Sequence, residues 1–103
     1  MRSLKFFISG RVTGLPREEA IRHFERGEKL LLANTYNFIN PLNIVPEGAT
    51  SAKAMSICLP LICSKDCDGI LLLNNSIFSE GSLLEKATAQ YCHKLIFEED
   101  DLN

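Results

Sequence analysis

Apolar residues fall along this chain in short blocks that alternate between unbroken runs and a three-to-four-residue spacing. Residues 4–8 form a short apolar run ended by Ser9-Gly10, which predicts a buried strand. Pro16-Arg17-Glu18-Glu19 predicts a helix start, with proline in the first turn and two carboxylates near the positive end of the helix dipole. Ile21, Phe24, Leu31 and Leu32 keep helical spacing to about Asn34. Gly27 weakens the middle of that helix by about 1 kcal/mol relative to alanine. Residues 36–39 read as a second strand broken by Asn40-Pro41, and residues 42–50, with Pro46 and Gly48, read as loop.

Residues 51–65 carry Ala, Met, Ile, Cys and Leu in helix-compatible positions around Pro60. Proline removes a backbone donor and disfavours helix at Leu59, so a kink or two short helices are expected there. Asp68-Gly69 leads into Ile70-Leu71-Leu72-Leu73, the unbroken apolar run of a strand buried on both faces. Residues 74–81 read as a polar loop, and residues 82–91 as a helix with Leu83, Leu84, Ala87 and Tyr91 as its apolar positions. Leu95-Ile96-Phe97 is the last strand. Residues 98–103 are expected to form a solvated, frayed acidic tail after a single domain over residues 1–97.

Strand and helix therefore alternate throughout. Right-handed crossovers turn that alternation into an α/β fold: a parallel sheet of about four strands, in the order 2-1-3-4, with helices on both faces. A ligand in such a fold sits beyond the carboxyl ends of the strands. Two segments arrive there: residues 9–14 after the first strand, and residues 74–85 after the third.

Composition narrows the function classes. With 46% hydrophobic and 23% charged residues, the 103-residue chain is neither disordered nor a coiled coil. Eleven basic against thirteen acidic residues, a net charge of -2, give no excess for neutralising nucleic-acid phosphates. No apolar run approaches the roughly 20 residues of a membrane span. The opening apolar stretch is also shorter than a signal-peptide core. Cys58, Cys63, Cys67 and Cys92 form no C-x-x-C pair, and Cys92-His93 has no second histidine nearby. Reduced, partly buried thiols in a cytoplasmic protein are the expectation. The reading calls for no cofactor and no metal.

Two segments could carry chemistry. Ser9-Gly10-Arg11-Val12-Thr13-Gly14 is a small-residue turn from strand to helix, where backbone N–H groups can approach an anion. It lacks the G-x-G-x-x-G pattern and the lysine of a Walker loop, and glycines there also serve purely steric needs. In Ser79-Glu80-Gly81-Ser82-Leu83-Leu84-Glu85, Ser79 and Gly81 would lie at a helix N-terminus suited to a phosphate, with Glu85 near the same cleft. The competing reading is a capping box, in which Ser82 and Glu85 satisfy the unpaired donors of the helix itself.

Ile8-Ser9-Gly10-x-x-Thr13-Gly14-Leu15, Asn40-Pro41, Cys67-Asp68-Gly69-Ile70 and Ser79-x-Gly81-x-x-x-Glu85 occur in this order over most of the chain. Together they resemble the nucleoside 2-deoxyribosyltransferase-like proteins, a group that includes the 2'-deoxynucleoside 5'-phosphate N-hydrolases. The resemblance implies a flavodoxin-like or Rossmann-like sheet and a homodimer or larger oligomer, with residues 51–65 in the subunit contacts. It implies a nucleoside or nucleotide ligand. Glu85 takes the place of the nucleophile that forms a covalent deoxyribosyl intermediate, as in retaining glycoside chemistry. Ser79 and Gly81 match phosphate-holding residues, and Gly10, Arg11, Thr13 and Gly14 match a loop lining the same pocket. Pro60 stands where the enzymes carry an aspartate, and Phe7 where they often carry a tyrosine. The alternative is therefore a protein that binds a nucleotide or sugar phosphate in this pocket without turnover.

Overall fold

Four parallel strands form the centre of the protein, whose computed structural model describes residues 3–103; the first two residues of the expected domain lie outside that range. The strands are β1 (Lys5–Ser9), β2 (Asn37–Ile39), β3 (Gly69–Leu72) and β4 (Leu95–Glu98). Their order is β2-β1-β3-β4. All pairs are parallel, with Phe7 opposite Ile39 on one side and Ile70 on the other. The alternation of the sequence thus becomes the expected α/β sheet.

Strand alternation sorts the core into two layers. Phe6, Ile8, Leu71 and Leu73 face α1 (Arg17–Ala33), meeting its Phe24 and Leu31. Phe7, Ile70 and Leu72 face the opposite way, against Cys58 and Ile62 of α2 (Ser51–Cys63) and Ala89 of α3 (Glu80–Tyr91). Gly27 is where α1 comes closest to the sheet: a Cβ there would sit 3.1 Å from both Ile8 and Leu73. The helix propensity lost at Gly27 is exchanged for close packing. Of the four apolar residues at helical spacing, Phe24 and Leu31 enter the core, whereas Ile21 and Leu32 are exposed.

Three other expectations are corrected. α2 runs unbroken through Pro60. Pro60 and Ser56 both lie on the exposed side of the helix, so the Ser56 carbonyl that loses its N–H partner faces water. Cys63 and Cys92 are not thiols but a disulfide, with Cα atoms 5.8 Å apart. Packing of α2 on α3 brings their carboxyl-terminal ends together, which a 29-residue separation hides in the sequence. Cys58 and Cys67 remain buried free thiols. Nor is the acidic tail frayed: Glu98, Asp100 and Asp101 are solvated as expected, but Glu98 ends β4, and residues Glu99–Leu102 form a short helix, α4, docked on α1. Glu99 is 2% exposed, accepting two hydrogen bonds from Arg26, at 2.7 and 2.9 Å, and one from the Asn74 N–H at 2.9 Å. Leu102 packs into the α1 layer. Among the described residues, no helix is long and apolar enough to cross a membrane.

Candidate functional site

A cavity of about 550 Å³ opens at the carboxyl ends of β1 and β3, between the loop after β1, the loop after β2, α2 and the start of α3. Its volume falls within the range of small-molecule sites, roughly 300–1,000 Å³. All seven residues singled out in the sequence line it: Gly10, Arg11, Thr13, Gly14, Ser79, Gly81 and Glu85. Leu42, Val45, Pro46 and Met55 form an apolar wall, and Arg11 and Arg17 supply positive charge.

The loop after β1 is held from outside the cavity. The Arg11 N–H donates to the Asn75 side chain at 3.1 Å, and the Arg11 guanidinium turns back to the Thr13 carbonyl at 3.0 Å. Gly10 packs closely on the end of β3: a Cβ there would come within 2.7 Å of the Leu73 Cδ1 and 3.2 Å of the Asn75 Oδ1, so those side chains would have to shift. Gly14 supplies the positive φ of 84° that closes the turn. The loop after β2 is held by Asn40, which accepts from the Leu42 N–H and donates to Glu28.

The start of α3 differs from the sequence reading. A 3-10 helix over Asn74–Phe78 occupies most of the expected loop, and α3 begins at Glu80. Its N-cap is Ser79, whose hydroxyl accepts from the Ser82 N–H at 3.1 Å. Ser82 lies inside the helix, so the proposed Ser82–Glu85 capping box does not form. Ser79→Ala removes the acceptor for that N–H and is expected to cost about 1 kcal/mol, read as a lower urea midpoint at unchanged slope.

Freed from capping, Glu85 turns into the core end of the cavity and is 5% exposed. The Ser9 hydroxyl donates to its Oε1 at 2.7 Å, and Ser9 and Ser82 share a hydrogen bond of 2.9 Å. Ser9 has one proton to give, so with Glu85 ionised it donates to Glu85 and accepts from Ser82. The Cys58 thiol donates to the same carboxyl. Burial pushes the Glu85 carboxyl up to about 7, only partly opposed by the hydrogen bonds from Ser9 and Cys58. Burial, and then the charge of Glu85, push the Cys58 thiol up to about 12. Cys58 therefore stays a neutral donor at physiological pH. A carboxyl poised near 7 can act as nucleophile in its ionised form or carry a proton in its neutral form.

Ser9 and Cys58 went unrecognised as the partners of Glu85, although period-based signals point to both. Ser9 shares a sheet face with Phe7 by strand alternation, and Cys58 lies one helical turn before buried Ile62. Neither departure from the resemblance lies on the cavity. Pro60 is exposed on the far side of α2, and Phe7 is fully buried in the core.

No curated protein gives a significant match to the chain. A family model described as a domain of unknown function, DUF4406, matches residues 4–98, nearly the whole chain, and the protein belongs to that family.

Proposed function

We propose that the cavity binds a deoxynucleoside or its 5'-monophosphate and that Glu85 cleaves or transfers its N-glycosidic bond. The observation that carries this reading is the Glu85 carboxyl, buried at the cavity end and held by the neutral donors Ser9 and Cys58. A Glu85 oxygen attacks the anomeric carbon as the bond to the base breaks. The base leaves with the bonding pair and takes a proton from solvent. Water, or a second base, then displaces the sugar from its ester with Glu85 and restores the carboxylate, with retention at the anomeric carbon. Arg11, Arg17, Ser79 and Gly81 line the part of the cavity suited to a 5'-phosphate. A cytoplasmic location belongs to the same proposal.

One observation favours binding without turnover. Towards Glu85, α2 presents the Cys58 thiol rather than a carboxylate, and a thiol held near 12 is no base at neutral pH. A single assay separates the two readings. The protein is incubated with each common deoxynucleoside and its 5'-monophosphate; free base is followed by chromatography and the protein by intact mass. Base release together with a transient deoxyribosyl adduct is the expected result. A monophosphate that protects the protein from thermal unfolding, with neither base nor adduct formed, leaves the binding reading in place.

A further inference from the structure

A chain of hydrogen bonds from α1 holds the loop after β1, and the backbone fixes the direction of each. The Arg11 N–H can only donate, so the Asn75 atom that meets it at 3.1 Å is the amide oxygen. The Asn75 NH2 group therefore faces His23, 2.7 Å from its Nδ1. That group also only donates, so Nδ1 carries no proton and His23 is the neutral tautomer protonated at Nε2. Among the described residues, the Arg11–Asn75 contact is the one hydrogen bond that ties residues 11–14 to another element. All four of those residues line the cavity.

We infer that His23 is a positioning residue for the cavity: its neutral ring locks the loop after β1 through Asn75, and a second proton on the ring releases that loop. A proton on Nδ1 leaves two donors facing each other. The Asn75 amide relieves this by turning over, which brings its oxygen to His23 and its NH2 to the Arg11 N–H. Arg11 then loses its acceptor, and the loop loses its tie. The His23 side chain is 24% exposed, so solvent can deliver the proton. Imidazole is also the side chain whose charge ordinarily changes near neutral pH. Glu19 lies one turn before His23 on α1, its Oε1 3.9 Å from the His23 Nε2. From α4, the Glu99 carboxylate feels the charge of the ring; Arg26 is the partner of that carboxylate, and Arg11 lies beyond Asn75. Glu19 and Glu99 supply counter-charge for a protonated ring, Arg26 opposes it, and the Asn75 NH2 is the group whose contact the proton breaks.

An NMR titration of the ligand-free protein from about pH 8 to about pH 5, the range in which imidazole ionises, follows the Arg11 amide and the His23 ring together. The Arg11 amide proton is expected to move upfield along the titration curve of the ring. Its protection from exchange should fall about fivefold, the factor for one net hydrogen bond. In His23→Gln the glutamine oxygen accepts from Asn75 and takes up no proton, so both changes disappear. Asn75→Asp presents an oxygen to each partner, so the Arg11 amide stays bonded at the acid end. Glu85 titrates in the same range and is present in both variants, which separates its effect from that of His23. An Arg11 amide that does not follow the ring, or that shifts equally in His23→Gln, would overturn the proposal. The consequence for a ligand rests on the proposed function: a deoxynucleoside 5'-monophosphate loses affinity towards acid more steeply with the wild type than with His23→Gln. If no monophosphate binds, the proposed function fails, and the Arg11 amide still decides the role of His23.

Discussion

Glu85→Gln is expected to abolish base release and adduct formation while making the protein more stable above neutral pH. An amide cannot form the sugar ester, so activity falls by on the order of 10³-fold or more, as when a covalent nucleophile is removed elsewhere. The stability change has the opposite sign. The Glu85 carboxyl is raised from 4.5 in its ordinary state to about 7 in the fold, so ionising it opposes folding. Wild-type stability from this group therefore declines as pH rises from about 4.5 through about 7 and then levels off. The difference corresponds to about 3 kcal/mol. Glutamine has no charge to bury and can still accept from Ser9. Denaturation at pH 8 should thus find Glu85→Gln the more stable protein, and the gap should close below pH 4.5. A gap that is constant with pH would show that Glu85 does not titrate in the fold as described. The loss of activity depends on the catalytic reading and the pH dependence does not, so the two results can disagree.

Arg26→Ala should unfold the protein more readily than any substitution on an exposed helix face. It leaves Glu99 buried with the Asn74 N–H as the one hydrogen bond among the described residues that still holds its charge. Breaking a buried ion pair from one side costs about 3–5 kcal/mol. The Arg26 side chain is 44% exposed, so water screens part of the pair and about 2–3 kcal/mol is the better expectation. For a chain of this size that is a fall in melting temperature of roughly 10 °C or more. Burial by itself would push the Glu99 carboxyl up, but the Arg26 hydrogen bonds, the Asn74 N–H and the charges of Arg26 and His23 outweigh it and hold the carboxyl low. Stability from a lowered carboxyl is present above its unfolded value and lost as pH falls through its folded value. The penalty of Arg26→Ala should therefore be largest near neutrality and shrink below about pH 4.5. Glu99→Gln keeps the shape and loses only the charge, so a smaller effect is expected from it. Equal penalties at pH 3 and pH 7 would mean that α4 is held by Leu102 and not by the ion pair.

The strands, the helices and their alternation were legible in the sequence because hydrophobic periodicity is a local property. Apolar runs at residues 4–8 and 70–73 become the two central strands, and each of these is covered on both faces. Parallel pairing then put the ends of β1 and β3 side by side, so the loop at residues 9–14 and the segment around Ser79 and Glu85 could be assigned to one cleft before any side chain was placed. The facts left to tertiary structure are all contacts between distant parts of the chain. Which serine caps α3 turned on the preceding 3-10 helix, which lets Ser79 take the cap and leaves Ser82 and Glu85 to face inward. The apolar positions of α3 were read correctly as a stripe, but periodicity fixes only that a stripe exists and not which side is covered. The close fit of the Ser82, Glu85 and Ala89 side beneath α2 and the sheet decided that. The Cys63–Cys92 bridge, the docking of Glu99 on Arg26 and the Ser9–Glu85 bond join residues 29, 73 and 76 positions apart. Local sequence cannot encode such pairings one at a time, because each depends on where the whole sheet sets the ends of its helices.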